Sequence, residues 1–271
     1  MLTVDLQTLA VRQLADFDAR TPNRVFADPI ELSIAESYEI QNEVALLRER
    51  RGEKIIGYKV GCTSPAIQEQ LGIREPIFGR LFDTGCHASS DRLSCSDYAN
   101  PAVEGEYAVR LAKDLPDGPL SDDQCLEAIA EIFPVIELHH YALRGDCPTC
   151  QQLIASNGMH AGIVFPGTSS PAFSRRADRE PAEPRVAGAP PALTIVIKSP
   201  VEGVQVKSST QSRPVESLHW LAGRLAALGL RLSAGQIILT GSPMPLFSVV
   251  PGSHVLVKAE SLGETRAEFI T

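Results

Sequence analysis

The chain has 271 residues, 44% of them hydrophobic, with 25 lysines and arginines against 33 aspartates and glutamates, a net charge of −8. That length can bury a sizeable core within one large domain, and the acidic balance without a basic cluster excludes nucleic acid and anionic membrane as partners. No apolar run approaches the roughly 20 residues that span a bilayer, and six cysteines scattered through so long a chain are not a disulfide framework.

Met1 to Gln7 lacks the basic and apolar regions of a secretory signal, so a reducing, cytoplasmic setting is expected. The first ~50 residues read as helical. Ser33 and Glu36 match a capping box, Tyr38, Ile40, Val44 and Leu47 supply a broad apolar side, and Gly52 is the expected stop. Arg48-Glu49-Arg50-Arg51 reads as the solvated end of that helix. Residues 1–52 are therefore expected to form a helical segment, and 53–271 a β-rich body.

Ile55 to Gly61 reads as the first strand of the body. Ala102 to Leu111 alternates as a second, with Val103, Gly105, Tyr107, Val109 and Leu111 on one face. Ser121 and Gln124 open a short helix expected to end before Pro134, and Phe133 to Leu138 follows as an apolar run. Residues 166 to 191, rich in proline, serine and charge, read as a long surface loop. Leu193 to Lys198 is a strand. Pro214 opens an amphipathic helix whose stripe is Leu218, Leu221, Ala222, Leu225 and Leu228, stopped by Gly229. Gln236–Leu239, Ser253–Glu260 and Thr265–Phe269 read as short strands separated by turns at Pro251-Gly252 and Leu262-Gly263. The fold class is α+β.

Three glutamates stand where strands are expected. Glu104 and Glu106 are two apart and share a face, and Glu137 interrupts the apolar run Val135-Ile136-Glu137-Leu138. Buried carboxylates cost free energy unless something positive compensates them, and a hard divalent cation with oxygen ligands does so. Lys59 lies mid-strand with Gly57 and Gly61 as its neighbours on the same face, which leaves a hollow where a ligand can meet the ammonium. Thr63 and Ser64 follow in a polar turn. Arg110 shares the glutamates' face and is a candidate to balance their charge.

Gly57-Tyr-Lys-Val-Gly-Cys-Thr-Ser64, Gln70-Leu-Gly-Ile73 and Pro76-x-Phe-Gly79 together resemble the 2-keto-4-pentenoate hydratase branch of the fumarylacetoacetate hydrolase superfamily. Glu104-x-Glu106 followed by Glu137 is similar to that superfamily's metal triad. Ile237-Ile-Leu-Thr-Gly241 and the hairpin from Pro251 to Gly263 resemble its C-terminal signature. The resemblance implies a mixed β-sheet roll with an N-terminal helical region, a Mg²⁺ or Mn²⁺ ion on Glu104, Glu106 and Glu137, and Lys59 as a catalytic group. It implies a 2-oxo acid, or its dienol, as substrate, with Thr63, Ser64, Ile77, Thr240 and Gly241 as contacts. Homo-oligomerisation, and association with a related decarboxylase or hydratase, are also implied.

Two departures from the family pattern stand out. The hydratases often carry an aspartate where this chain has Ile77, and the related 4-oxalocrotonate decarboxylases an apolar residue. His160 stands where the hydratases carry a serine that touches substrate, and is a candidate catalytic residue. Water addition to a 2-hydroxy-2,4-dienoate is thus the first expectation. Decarboxylation of a 2-oxo diacid is the second, with acylpyruvate hydrolysis or a catalytically altered partner subunit behind it. Alternation places His139 on the Glu137 face, in a supporting or surface role rather than as a ligand. Cys147 and Cys150 are a lone Cys-x-x-Cys, read as free thiols before a zinc site. Ser242, like Thr240, is a candidate substrate donor.

Overall fold

The computed structural model describes residues 5–20, 30–116, 120–140, 148–167 and 190–271. Most of the long segment before residue 191, and Cys147, lie outside the described residues; Cys150 is a buried free thiol.

Helices α1 (Leu6–Asp18) and α2 (Ile34–Arg50) form the N-terminal layer. The capping box of α2 is present in full, with Ser33 and Glu36 exchanging bonds. One side of α2 is tied to the body by Gln41, whose amide donates to the carbonyls of Phe78 and Ile154 at 2.9 Å each. The C-terminal end of α2 is not simply solvated. Arg48 is buried, with its guanidinium 3.7 Å from the Phe82 ring centroid and paired to Glu53 at 2.6 Å.

The body follows as β1 (Ile55–Gly61), α3 (Pro65–Leu71), β2 (Ile77–Phe82), β3 (Cys86–Ala88), β4 (Arg92–Ser94), β5 (Ala102–Leu111), α4 (Asp122–Ala128), β6 (Ile129–His139), α5 (Cys150–Ala155), β7 (His160–Phe165), β8 (Leu193–Ser199), β9 (Gly203–Ser209), α6 (Pro214–Ala226), β10 (Ile237–Leu239), β11 (Phe247–Ser248), β12 (His254–Ala259) and β13 (Gly263–Ile270). One mixed sheet runs β2-β1-β10-β5-β6-β7-β3, with β11 also on β5, and a second runs β4-β13-β12-β8-β9. This is the α+β architecture expected from the sequence.

Alternation in β5 builds the interface between the sheets. Val103, Tyr107, Val109 and Leu111 are buried in the main core with Ile195, Val255 and Val257 of the second sheet. At Gly105 an added Cβ would come within 3.1 to 3.3 Å of Met244 and Val257, so the second sheet packs tightly on β5 behind the glutamates. The short helix opened at Ser121 ends at Ala128, ahead of Pro134 as expected, and β6 continues through the proline. Pairing with β7 begins only at Ile136, so the N–H that proline lacks is not needed on that side. In α6 the stripe Leu218, Leu221 and Leu225 is fully buried, while Leu228, beyond the helix, is exposed.

Candidate metal centre and active site

Strands β5 and β6 pair antiparallel with Glu104 opposite Glu137, Glu106 opposite Val135 and Ala102 opposite His139. Directly opposed residues and residues two apart share a face, so Glu104, Glu106, Glu137 and His139 all project from the side of the sheet away from the main core. Glu106, Glu137 and His139 are buried, and Glu104 is partly exposed.

Glu137 is the hub. Its Oε1 lies 2.7 Å from Lys59 Nζ and 2.7 Å from His160 Nδ1. Its Oε2 lies 3.4 Å from His139 Nε2, which is 3.3 Å from Glu104 Oε2. Glu104, Glu137 and His139 each offer a donor atom within 4.8 Å of the others. Glu106, opposite Val135 in the ladder, meets the Glu137 carboxyl from the side, and its Oε2 accepts the Gly241 N–H at 3.2 Å. All three expected carboxylates therefore gather on one face, with His139 beside Glu104 and Glu137. Burial and alternation together mark His139; only alternation was readable in the sequence.

Lys59 reaches this cluster because glycines clear its path. A Cβ on Gly79, its neighbour on β2, would lie 3.1 Å from Lys59 Cγ and 2.8 Å from Asn157 O. That closeness lets the left-handed turn Asn157-Gly158 close over the lysine stem, and Lys59 Nζ donates to Gly158 O at 3.3 Å. The hollow expected on both sides of Lys59 exists only at Gly61, where an added Cβ would touch Ile77 and Lys59 at ordinary distances. At Gly57 a Cβ would lie 1.8 Å from Ile237 O, so that glycine serves strand packing.

Burial alone would lower the Lys59 pKa, but Glu137, Glu106 and Glu104 outweigh it and hold the ammonium above the usual lysine value. Burial likewise opposes the charge on Glu137, yet Lys59 and His139 keep its carboxylate well below its ordinary pKa. Glu106 is pushed well above its ordinary value by burial and by repulsion from Glu137. His160 is pushed down to about 4, chiefly by burial, so it is a neutral imidazole near pH 7. A neutral ring facing a carboxylate through Nδ1 carries its proton there and presents Nε2 as an acceptor.

Several of the expected contact residues also bond within the fold. The Ser64 hydroxyl caps α3 and is exposed. Thr240 is buried and its hydroxyl donates to Tyr107 O at 2.9 Å. Ser242 donates to the carbonyls of Gly105 and Met244. Gly241 positions Glu106, and its φ of +92° with Thr63 packed where a Cβ would stand requires glycine. Ile77 is buried beside Gly61 and Lys59, and Thr63 lies against Gly241. Arg110 does not balance the glutamates; it pairs with Glu131 at 3.4 Å. His140, one residue beyond His139, turns away, and its Nδ1 accepts the Ala99 N–H at 2.8 Å.

The centre fits a divalent cation. Glu137 Oε2 and both ring nitrogens of His139 are buried with no hydrogen-bond partner. Such atoms cost about 1–3 kcal/mol each when left uncompensated. Carboxylate oxygen and imidazole nitrogen are both donors to divalent ions.

The chain belongs to the fumarylacetoacetate hydrolase family, whose C-terminal model matches residues 82–270. It falls in the branch that holds 2-keto-4-pentenoate hydratases and 4-oxalocrotonate decarboxylases. The 2-keto-4-pentenoate hydratase of Paraburkholderia phymatum is 30% identical over 233 residues, 86% of this chain and 85% of the relative. The 4-oxalocrotonate decarboxylase of Pseudomonas putida is 27% identical over 258 residues, 94% of this chain and 93% of the relative. Among solved structures, 4-oxalocrotonate decarboxylase from Pseudomonas putida G7, complexed with magnesium and adipate, superposes with a TM-score of 0.82 at 25% identity, covering 98% of this chain and 97% of that one. Among the described residues no helix is long and apolar enough to cross a membrane.

Proposed function

We propose that this protein is a metal-dependent lyase that adds water to a 2-hydroxy-2,4-dienoate and releases a 4-hydroxy-2-oxo acid. The observation that carries this reading is the contact of Lys59 Nζ with Glu137 Oε1 at 2.7 Å, inside a buried wall of carboxylates. The hydratase and decarboxylase names of the relatives support it. The Glu104, Glu106 and Glu137 carboxylates would hold a divalent ion such as Mg²⁺ or Mn²⁺, which would supply Lewis-acid chemistry toward a 2-oxo acid.

The residues divide the proton work. Lys59, kept as an ammonium by three carboxylates, attracts the anionic substrate and delivers a proton to the terminal carbon as the dienol loses its O–H proton and becomes a ketone. His160, neutral and oriented by Glu137, offers Nε2 to the attacking water; the hydroxyl joins carbon 4 and the proton passes to carbon 3. Glu106, positioned by the Gly241 N–H, lines the site beside Lys59 and Glu137. Ile77 and Gly61 form the wall beside the ammonium, where the substrate's tail lies.

Decarboxylation of a 2-oxo diacid is the second reading, favoured by the apolar Ile77 beside Lys59. One incubation separates the two. The protein is given Mg²⁺ and a panel of 2-hydroxydienoates and 2-oxo diacids, and ultraviolet loss and CO₂ are followed. Loss of dienol absorbance without CO₂ is expected. Release of CO₂ from a diacid establishes the second reading, and no turnover of any compound points to a catalytically altered subunit. Glu106→Gln should abolish turnover with the fold intact; unchanged turnover would remove Glu106 from the site. We also propose a homo-oligomer, supported by the edge strand β9, on which Val204 and Val206 are exposed. A light-scattering mass equal to one 29.2 kDa chain would overturn it.

A further inference from the structure

We infer that Asn157 is a positioning residue of this active site: its side-chain amide locks a left-handed turn that lies against Lys59 and delivers His160 to Glu137. The inference rests on the reading above that Lys59 and His160 carry the proton transfers, and goes beyond it in naming the residue that places both.

The first observation is the backbone. Asn157, Gly158 and Met159 have φ of +58°, +64° and +58°, three left-handed residues in a row. Residues with a Cβ visit that region singly rather than in runs, and Asn and Gly tolerate it better than Met. Such a conformation persists where its surroundings over-determine it, and functional sites are where it gathers. Here the run forms one turn between α5 and β7. The Met159 N–H donates to Ser156 O at 3.1 Å, and Met159 O accepts the His140 N–H at 2.9 Å.

The second observation is what holds the turn. Asn157 Oδ1 accepts the Arg80 N–H at 2.7 Å and Asn157 Nδ2 donates to Arg80 O at 2.8 Å, so the amide pairs with β2 as a strand residue would. Arg80 follows Gly79, which stands opposite Lys59. Because Gly79 lacks the Cβ that would lie 2.8 Å from Asn157 O, the turn can rest directly on β2. Gly158 is thereby laid against the lysine. A Cβ there would be 3.4 Å from both Lys59 Cε and Nζ, and Gly158 O accepts from Nζ. Gln41 of α2 bridges the same two segments through Phe78 O and Ile154 O.

The third observation is the register that follows the turn. β6 and β7 pair Leu138 with Gly162 but His139 with His160, so Ala161 is an extra, bulged residue. In an unbroken ladder Ala161 would oppose His139, and His160 would project from the other face. The bulge brings His160 to the Glu137 side, where its Nδ1 meets Oε1 at 2.7 Å. It sits against Gly85, where an added Cβ would be 2.9 Å from Ala161 O. Turn and bulge are adjacent, so the anchor at Asn157 fixes the entry to β7 and, with it, both proton-transfer groups.

The test compares the full-length wild type with Asn157→Gly, which removes the amide yet suits the left-handed backbone. With a 2-hydroxydienoate that the wild type turns over, kcat should fall about 10²-fold, the scale at which a displacement of ~1 Å is felt, while KM and Mn²⁺ affinity move less than about threefold. Acetylation of Lys59 by acetic anhydride, read by mass spectrometry, should be about tenfold faster in the variant, with the exposed Lys113 as an unchanged reference. A kcat within about twofold of wild type overturns the inference even where the melting temperature falls, because Asn157 then serves stability alone. Equal losses of kcat and Mn²⁺ affinity mean a collapsed site and overturn it as well. If Asn157→Gly does not fold, Asn157→Asp decides, since it keeps the acceptor for the Arg80 N–H and loses the donor to Arg80 O. Lowered kcat with Mn²⁺ affinity kept supports the inference there, and wild-type kcat overturns it. If the wild type turns over no compound of the panel, the hydratase reading falls and acetylation decides by itself. Faster modification of Lys59 in the variant then upholds the positioning role, and equal rates overturn it.

Discussion

Two sheltered carboxylates in this protein meet cations in opposite ways. Glu53, just after α2, accepts from Arg48 Nε and Nη2, Arg51 Nη2 and Thr84 Oγ1, with both of its oxygens engaged. Its charge is fully answered, and its pKa falls to about 2; burial opposes that fall, and the bonds from Arg48 and Thr84 overcome it. Glu137 has Lys59 and His160 on Oε1, but its Oε2 is without a hydrogen bond, as is His139 beside it. A satisfied carboxylate fastens a helix to a sheet. An unsatisfied one, backed by unsatisfied neighbours, marks a place built for something the polypeptide does not supply.

The sharpest way to break this comparison is to remove each carboxylate in turn. Glu137→Ala strands a buried ammonium, and we expect a loss of about 3–5 kcal/mol in unfolding free energy together with loss of divalent-ion binding, read by denaturant titration and calorimetry. Lys59→Met keeps the stem in its glycine-lined channel and removes the charge. Turnover should fall about 10²- to 10⁴-fold while circular dichroism is unchanged; near-normal turnover would exclude Lys59 as the proton donor. Glu53→Ala should cost about 1.5–3 kcal/mol in stability and leave metal affinity and turnover as they were.

The smallest effect is a pH dependence. The folded-state pKa of Glu53 is depressed to about 2 from an ordinary 4.5, so the unfolded chain binds its proton first as pH falls. The stability Glu53 contributes is complete above pH 4.5 and is lost between 4.5 and 2. Glu53→Gln should flatten the stability profile in that window relative to the wild type; an identical slope would show that Glu53 is not the group titrating there.

Much of the scaffold was legible because its signals are local. The Ser33–Glu36 box, the alternation of β5 and the stripe of α6 each depend on residues a few positions apart. How β6 accommodates Pro134 was not legible, because proline argues against a central strand and only the late start of β7 pairing explains it. Arg48 misled because nothing adjacent in the chain reveals that Phe82 and Glu53 will enclose it.

The candidate site divides along the same line. Glu104, Glu106, Glu137 and Lys59 were visible in the sequence because charge inside an apolar strand pattern is costly and has to be compensated. Which carboxylates meet was decided by the β5–β6 register, which sets Glu104 against Glu137 and Glu106 against Val135. That Thr240 spends its hydroxyl on Tyr107, and that His139 faces two carboxylates while His140 turns to Ala99, also followed only from the assembled sheet. The sequence by itself determined which charges would be buried, since strand periodicity is a property of neighbours. The tertiary structure decided which of them converge, since register and the close approaches at Gly79 and Gly241 join segments scores of residues apart.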